Sequence, residues 1–116
     1  MTTITEDYVS YEVAKLLKEK GMNKSCFKHY VQKNNNDGTS ETVTVCTLQM
    51  AMKWLREVHN IFIEIGVSID LNGDYHFSYT ILDNECKYVR RGYTFFDWSY
   101  KDAVEAALEY CLEILI

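Results

Sequence analysis

The segment from Thr47 to Ile116 most constrains what this chain can fold into, because its pattern changes from helical to alternating and back to helical. Apolar residues recur at helical spacing in TLQMAMKWLREVH, alternate with polar residues through the middle of the segment, and return to helical spacing in SYKDAVEAALEYCLEILI. A period near 3.6 predicts a helix, and a period of two predicts a half-buried strand. The segment therefore predicts the order helix, three strands, helix.

The first third of the chain adds a helix and a hairpin. In SYEVAKLLKEKG, Ser10 is a candidate N-cap and Gly21 a glycine that ends the helix. Residues 26–32 and 41–46 are predicted strands, joined by the turn-forming loop KNNNDGTS. A chain of 116 residues with 47% hydrophobic content can bury one core. We therefore predict a single α+β domain over residues 1–116, an antiparallel sheet with helices packed on one face.

The same periodicity predicts which residues are buried. The predicted core stripe of the second helix comprises Leu48, Ala51, Met52, Leu55 and Val58, and that of the last helix comprises Val104, Ala107, Leu108, Cys111, Leu112 and Leu115. Odd-numbered residues from Ile61 to Leu71, and again from Tyr75 to Ile81, share one strand face. Matching these faces requires an odd-length loop, either Leu71-Asn72-Gly73 with Gly73 in the left-handed conformation and a bulge, or Asn72-Gly73-Asp74.

Charge and composition disfavour several classes of function. The net charge of −5 disfavours a surface that coats nucleic acid, because phosphate binding needs clustered Lys and Arg. The start, MTTITEDYVS, lacks signal-peptide features, and no apolar stretch approaches the roughly 20 residues of a membrane span. We expect a cytoplasmic protein with no membrane partner, whose four cysteines are reduced.

No motif in the sequence predicts catalysis, a cofactor or a metal. The run Asp70, Asn72, Asp74 begins like a calcium loop, but Tyr75 replaces its glycine and Ile81 its final glutamate, so a hairpin turn is favoured. The four potential zinc ligands, Cys26, His29, Cys46 and His59, fit no standard spacing. We predict no catalytic, cofactor-binding or metal-binding residue. An enzyme would need a site assembled only in three dimensions.

Two surface features are candidates for binding. The first is basic, and its candidate nucleic-acid contacts are Lys15, Lys18, Lys24, Lys28, Arg90 and Arg91. The second is apolar: Met50 and Trp54 lie on the flank of the second helix, where the first helix and hairpin are expected to cover them. If they are exposed instead, they join Phe96 and Trp98 as candidate interface anchors. The last helix also carries an acidic ridge, Asp102, Glu105, Glu109 and Glu113, predicted to face solvent.

Two resemblances accompany these patterns. SYEVAKLLKEKG, TLQMAMKWLREVHNIFIEI and SYKDAVEAALEYCLEIL together resemble uncharacterised small proteins of phages and mobile elements of gut anaerobes, which implies a cytoplasmic accessory protein. Residues 47–116 resemble the double-stranded-RNA-binding domain in element order and in the alanine-rich closing helix. That family implies lysines that contact phosphate at the start of the last helix. Here only Lys101 matches, beside Asp102 and Glu105.

The function predicted from these observations is a small non-enzymatic interaction or accessory module that binds another protein or itself. The alternative is a nucleic-acid-binding module that uses the lysine-rich first third of the chain, although the net charge disfavours it. An enzyme with an unrecognised site is the third hypothesis.

Overall fold

The part of the chain described by this computed structural model, residues 6–92 and 99–116, contains three α-helices and two antiparallel sheets. The helices are α1 (Tyr11–Glu19), α2 (Leu48–His59) and α3 (Tyr100–Tyr110); the strands are β1 (His29–Asn34), β2 (Ser40–Val45), β3 (Phe62–Ile69), β4 (Tyr75–Leu82) and β5 (Tyr88–Gly92). A π-helical turn, Cys111–Leu115, continues α3. The predicted α+β class and element order are confirmed.

The strands form a two-stranded sheet, β1-β2, and a three-stranded sheet, β3-β4-β5, with β4 in the centre. The prediction that the first strand begins at residue 26 was wrong. Lys24–Cys26 form a single 3-10 turn, because the side chain of Asn23 accepts a hydrogen bond from the backbone N–H of Ser25. Such side-chain bonds offer the backbone an alternative to strand pairing.

The predicted helix ends are confirmed by their hydrogen bonds and backbone angles. Ser10, Thr47 and Ser99 each accept a bond from the backbone N–H three residues further along. Gly21, after the C-cap Lys20 of α1, has a φ of 96°, and Asn60, the C-cap of α2, has a φ of 55°. These local signals determine where each helix begins and ends.

The core lies where α3 packs onto the odd-numbered face of the three-stranded sheet. Tyr79 and Ile81 of β4 are buried there, and Leu108 and Leu112 are fully buried on the helix side. The same helix also contacts α1, α2, β3 and β5. Because α3 touches most of the other elements, it fixes their relative positions.

The core stripe predicted for α2 is correct except at its last position. Leu48, Ala51, Met52 and Leu55 are buried, whereas Val58 is 58% exposed. A helix turns by about 100° per residue, so a stripe through 48, 52 and 55 continues to residue 59. His59 is accordingly half-buried in the place predicted for Val58.

The predicted acidic ridge of α3 is interrupted at Glu105, so this part of the prediction was wrong. Glu105 is half-buried, and its carboxylate accepts hydrogen bonds from Ser10 N–H at 2.6 Å and from Ser10 Oγ at 3.1 Å. Asp102 completes the capping box of Ser99. Glu105 therefore joins the start of α1 to α3 across 95 residues of sequence.

The Glu105 carboxyl group is expected to make stability depend on pH. Its pKa is raised from 4.5, chiefly because burial disfavours the charged form, although the bonds from Ser10 oppose the shift. A raised pKa means that the folded state binds the proton more tightly than the unfolded state. The free energy of unfolding therefore falls as pH rises from 4.5 through the folded-state pKa.

Urea unfolding of the wild type and Glu105→Gln across this pH range measures the effect. Glutamine keeps an acceptor for Ser10 but does not ionise, so the wild type is expected to lose stability relative to the variant toward neutral pH. The pKa values of Asp70 and Asp83 are lowered from 3.8, so these two carboxyl groups change charge below this pH range. Both groups are present in the wild type and in the variant. A difference that stays constant with pH would contradict the role assigned to Glu105.

The β3–β4 connection confirms the predicted odd loop. Leu71-Asn72-Gly73 form the loop, Gly73 has a φ of 86°, and its N–H donates to the carbonyl of Asp70. The β4–β5 turn repeats this arrangement with Cys86, at a φ of 59°, in the place of Gly73. In each turn the first aspartate, Asp70 or Asp83, accepts two backbone N–H bonds.

Replacing Cys86 with glycine is expected to stabilise the protein. The left-handed conformation costs a non-glycine residue roughly 1–2 kcal/mol, and the greater freedom of glycine in the unfolded chain removes about 0.5–1 kcal/mol of the gain. We expect a net increase of about 0.5–1 kcal/mol in the free energy of unfolding, measured with urea. Asn84→Gly in the same turn is the control and should lower stability, because Asn84 has no positive φ to relieve.

Candidate interaction surface

An apolar surface is exposed at the end of the three-stranded sheet that is nearest the β3–β4 turn. Val67, Ile69 and Tyr75 are 61%, 60% and 65% exposed, and Leu71 is fully exposed. These four residues are called the distal patch. Ile69 lies opposite Tyr75 in the β3–β4 ladder, and Val67 is two residues from Ile69 on the same face of β3. Leu71 follows in the loop.

The distal patch is exposed because of where α3 begins. The ring of Tyr100, the first residue of α3, meets Phe77 edge to face with centroids 6.0 Å apart. Ile69 and Tyr75 lie beyond this contact toward the turn, so the helix does not cover them. The odd-numbered face was predicted to be buried along its whole length, and that prediction holds only for the half under α3.

The four predicted interface anchors do not belong to the distal patch. Met50 is 41% exposed on α2 and borders a cavity of about 310 Å³ near Cys26 and His29. Trp54 is half-buried against the core, and its ring meets His59 edge to face at a centroid distance of 4.7 Å. Phe96 and Trp98 lie outside the described residues.

Two of the predicted nucleic-acid contacts are engaged within the protein. Lys18 Nζ donates to the carbonyl and Oγ1 of Thr44, both at 2.9 Å, and lies 4.9 Å from the centroid of Phe27. Arg90 Nε donates to the hydroxyl of Tyr79 at 3.1 Å, and its guanidinium carbon lies 4.4 Å from the centroid of Tyr110. Both side chains would lose these contacts on turning toward phosphate.

The remaining basic candidates are exposed and are spread over several elements of the fold. Lys15, Lys24 and Lys28 are exposed in the first third of the chain. Arg91 follows Arg90 in β5, and successive strand residues point to opposite faces of a sheet. Lys101, the residue that matches the phosphate-binding lysines of the double-stranded-RNA-binding family, is exposed near the start of α3.

Two of the cysteines, Cys46 and Cys111, are buried as free thiols. Burial raises the pKa values of both Cys46 and Cys111 to about 12, so their thiols are protonated at neutral pH. His59, the last residue of α2, has a buried Nε2 with no hydrogen-bond partner among the described residues, and it borders a cavity of about 330 Å³ with Asp83 and Ile116. Within the two described ranges, no three His, Cys, Asp or Glu side chains are grouped to hold a metal ion.

The predicted hairpin turn at Asp70 is confirmed. Besides its two backbone bonds, Asp70 Oδ2 lies 2.7 Å from Nε2 of His76. This hydrogen bond makes the largest contribution to the lowered pKa of Asp70. The carboxylate is therefore used to hold the turn that carries Leu71 at the tip of the distal patch.

Neither described range contains a helix with the length and apolar character needed to cross a bilayer. A comparison of the chain with protein-family models, with curated proteins and with solved structures found no match.

Proposed function

We propose that this protein is a small non-enzymatic interaction module and that the distal patch is its binding surface. Scattered apolar side chains are common on protein surfaces, but adjacent ones that form one patch characterise interaction sites. In the distal patch Tyr75 lies opposite Ile69 in the β3–β4 ladder, Val67 lies on the same face of β3, and Leu71 is exposed in the adjoining loop. Tyrosine is among the residues enriched where binding energy concentrates.

The surroundings of the distal patch support the same proposal. Asp74 is exposed and Asp70 is partly exposed in the turn, and Ser68 is exposed on the other face of β3. A centre of apolar groups with a polar rim is the usual composition of a protein interface. The resemblance to small phage and mobile-element proteins supports an accessory role within such an element.

Recovery of the tagged protein from its native host tests the proposal. The wild type, the double variant Val67→Thr/Ile69→Thr and the control Ile114→Thr are compared by mass spectrometry after nuclease treatment. Threonine keeps the β-branched shape that favours strands, and Ile114 is equally exposed but lies in the π-helical turn. We expect a protein that is retained by the wild type and the control and lost from the double variant.

Two outcomes would contradict this proposal. A partner that binds all three proteins equally would show that the distal patch is not the binding surface. A partner that is lost on nuclease treatment, together with salt-dependent binding of duplex RNA or DNA in a fluorescence-anisotropy titration, would favour the nucleic-acid alternative.

A further inference from the structure

The open edge of β3 is complementary to itself, and we propose that the partner is a second copy of this chain, paired antiparallel through β3 across a two-fold axis. The proposal rests on the function proposed above and names the partner. Within residues 6–92 and 99–116, β3 pairs with β4 on one side and with no strand on the other. An unpaired edge is a template for another strand, and two-fold pairing closes the assembly at a dimer.

The β3 edge lacks the features that protect the other edge of the same sheet. β5 has five residues, carries Arg90 and Arg91, and pairs with β4 through a register shift. Short length, positive charge and bulges are the devices that prevent pairing with another chain. β3 has eight residues in unbroken register, with Glu64 as its only charge. The sheet therefore has one protected and one unprotected edge.

The backbone of β3 presents its free groups at apolar positions. Asp70 N–H donates to the carbonyl of Asp74, which continues the register of β3 and β4 into the loop. Hydrogen-bonded and non-hydrogen-bonded pairs alternate in an antiparallel ladder. Even-numbered residues of β3 therefore bond to β4, and odd-numbered residues direct their N–H and C=O groups to the open edge. These odd-numbered residues are Ile63, Ile65, Val67 and Ile69.

One antiparallel register pairs all four residues whose backbone N–H and C=O groups point to the open edge. It sets Ile63 opposite Ile69 of the second copy and Ile65 opposite Val67, which extends the apolar stripe of the distal patch across the interface. On the other sheet face, Gly66 meets its own copy at the two-fold axis. Glu64 then lies opposite Ser68 rather than opposite another Glu64, so like charges do not meet directly.

Glycine suits the position on the two-fold axis. Even-numbered residues form the non-hydrogen-bonded pairs of the new ladder, where Cα atoms approach to about 4.5 Å. Gly66 is exposed and has no side chain to crowd this approach. The result is a continuous six-stranded sheet in which both copies of Val67 and Ile69 are shielded by their neighbours.

Sedimentation velocity over a concentration series tests the dimer. We expect a monomer–dimer equilibrium for the wild type and a dissociation constant about tenfold or more higher for Val67→Lys. Tyr88→Lys, which adds the same charge at an exposed residue of the protected edge, should dimerise like the wild type. Equal weakening by both substitutions would overturn the assignment to β3.

Disulfide trapping tests the register in a Cys86→Gly background, which removes the exposed native thiol. Glu64→Cys and Ser68→Cys each place a thiol on an exposed residue of β3. A mixture of the two variants is expected to cross-link on mild oxidation, because the proposed register brings the Cα atoms of residue 64 and of residue 68 in the second copy within the range of a disulfide. Neither variant alone is expected to cross-link. Cross-linking of Glu64→Cys to itself would overturn the register.

Failure of the self-pairing proposal can be distinguished from failure of the proposed function. A chain that stays monomeric at every concentration, while the native-host experiment recovers a different protein through the distal patch, overturns the self-pairing and leaves the interaction module intact. A monomeric chain from which no partner is recovered overturns both.

Discussion

Replacing Leu108 with alanine is expected to lower the free energy of unfolding by about 2–5 kcal/mol. Leu108 is fully buried in α3, the helix that contacts α1, α2 and the three strands of the larger sheet. The substitution removes the transfer energy of the lost methyl and methylene groups and leaves a cavity that its neighbours fill only in part. Since small domains are stable by about 5–15 kcal/mol, the loss is a large fraction of the total.

Urea denaturation followed by circular dichroism measures this loss, and Ile114→Ala is the matched control. Ile114 lies six residues further along the same C-terminal segment but is exposed, so its truncation should change stability by about 0.5 kcal/mol or less. An unchanged slope against urea would show that the comparison concerns stability alone. Similar losses for the two variants would contradict the packing of α3 described here.

Local signals explain why so much of the fold was predictable. A helix cap depends on a side chain and a backbone N–H three residues away, so Ser10, Thr47 and Ser99 could be recognised without knowledge of the tertiary structure. The odd loop at Leu71–Gly73 followed from parity, because an even loop would place apolar residues opposite polar ones. Helix caps and the length of a hairpin loop depend only on residues that are near neighbours in sequence or in one hairpin.

The distal patch and the Glu105 bond could not be predicted in this way. Alternation shows which residues share a face, but not which part of that face another element covers. Val67 and Ile63 follow the same pattern, but Ile63 packs against the core, whereas Val67 lies opposite Phe77, where Tyr100 begins α3. Likewise, Glu105 lies on the polar side of its helix, and its donor Ser10 is brought to it by tertiary packing.

Replacing Gly92 with alanine is expected to destabilise the protein by about 1–3 kcal/mol, the usual effect of adding a methyl group to a filled space. A Cβ atom at Gly92 would overlap the ring of Tyr79, which lies opposite it in the β4–β5 ladder. The ring cannot move away freely, because it is buried and its hydroxyl accepts a hydrogen bond from Arg90. Gly92 is therefore required for the close packing of Tyr79 against β5.

A double-mutant cycle with Tyr79→Leu separates this overlap from the intrinsic effect of alanine in a strand. Leucine removes the ring atoms that the new methyl group would meet, so Gly92→Ala should destabilise the Tyr79→Leu protein much less than the wild type. An equal effect of Gly92→Ala in both backgrounds would show that the tyrosine ring does not select glycine at residue 92.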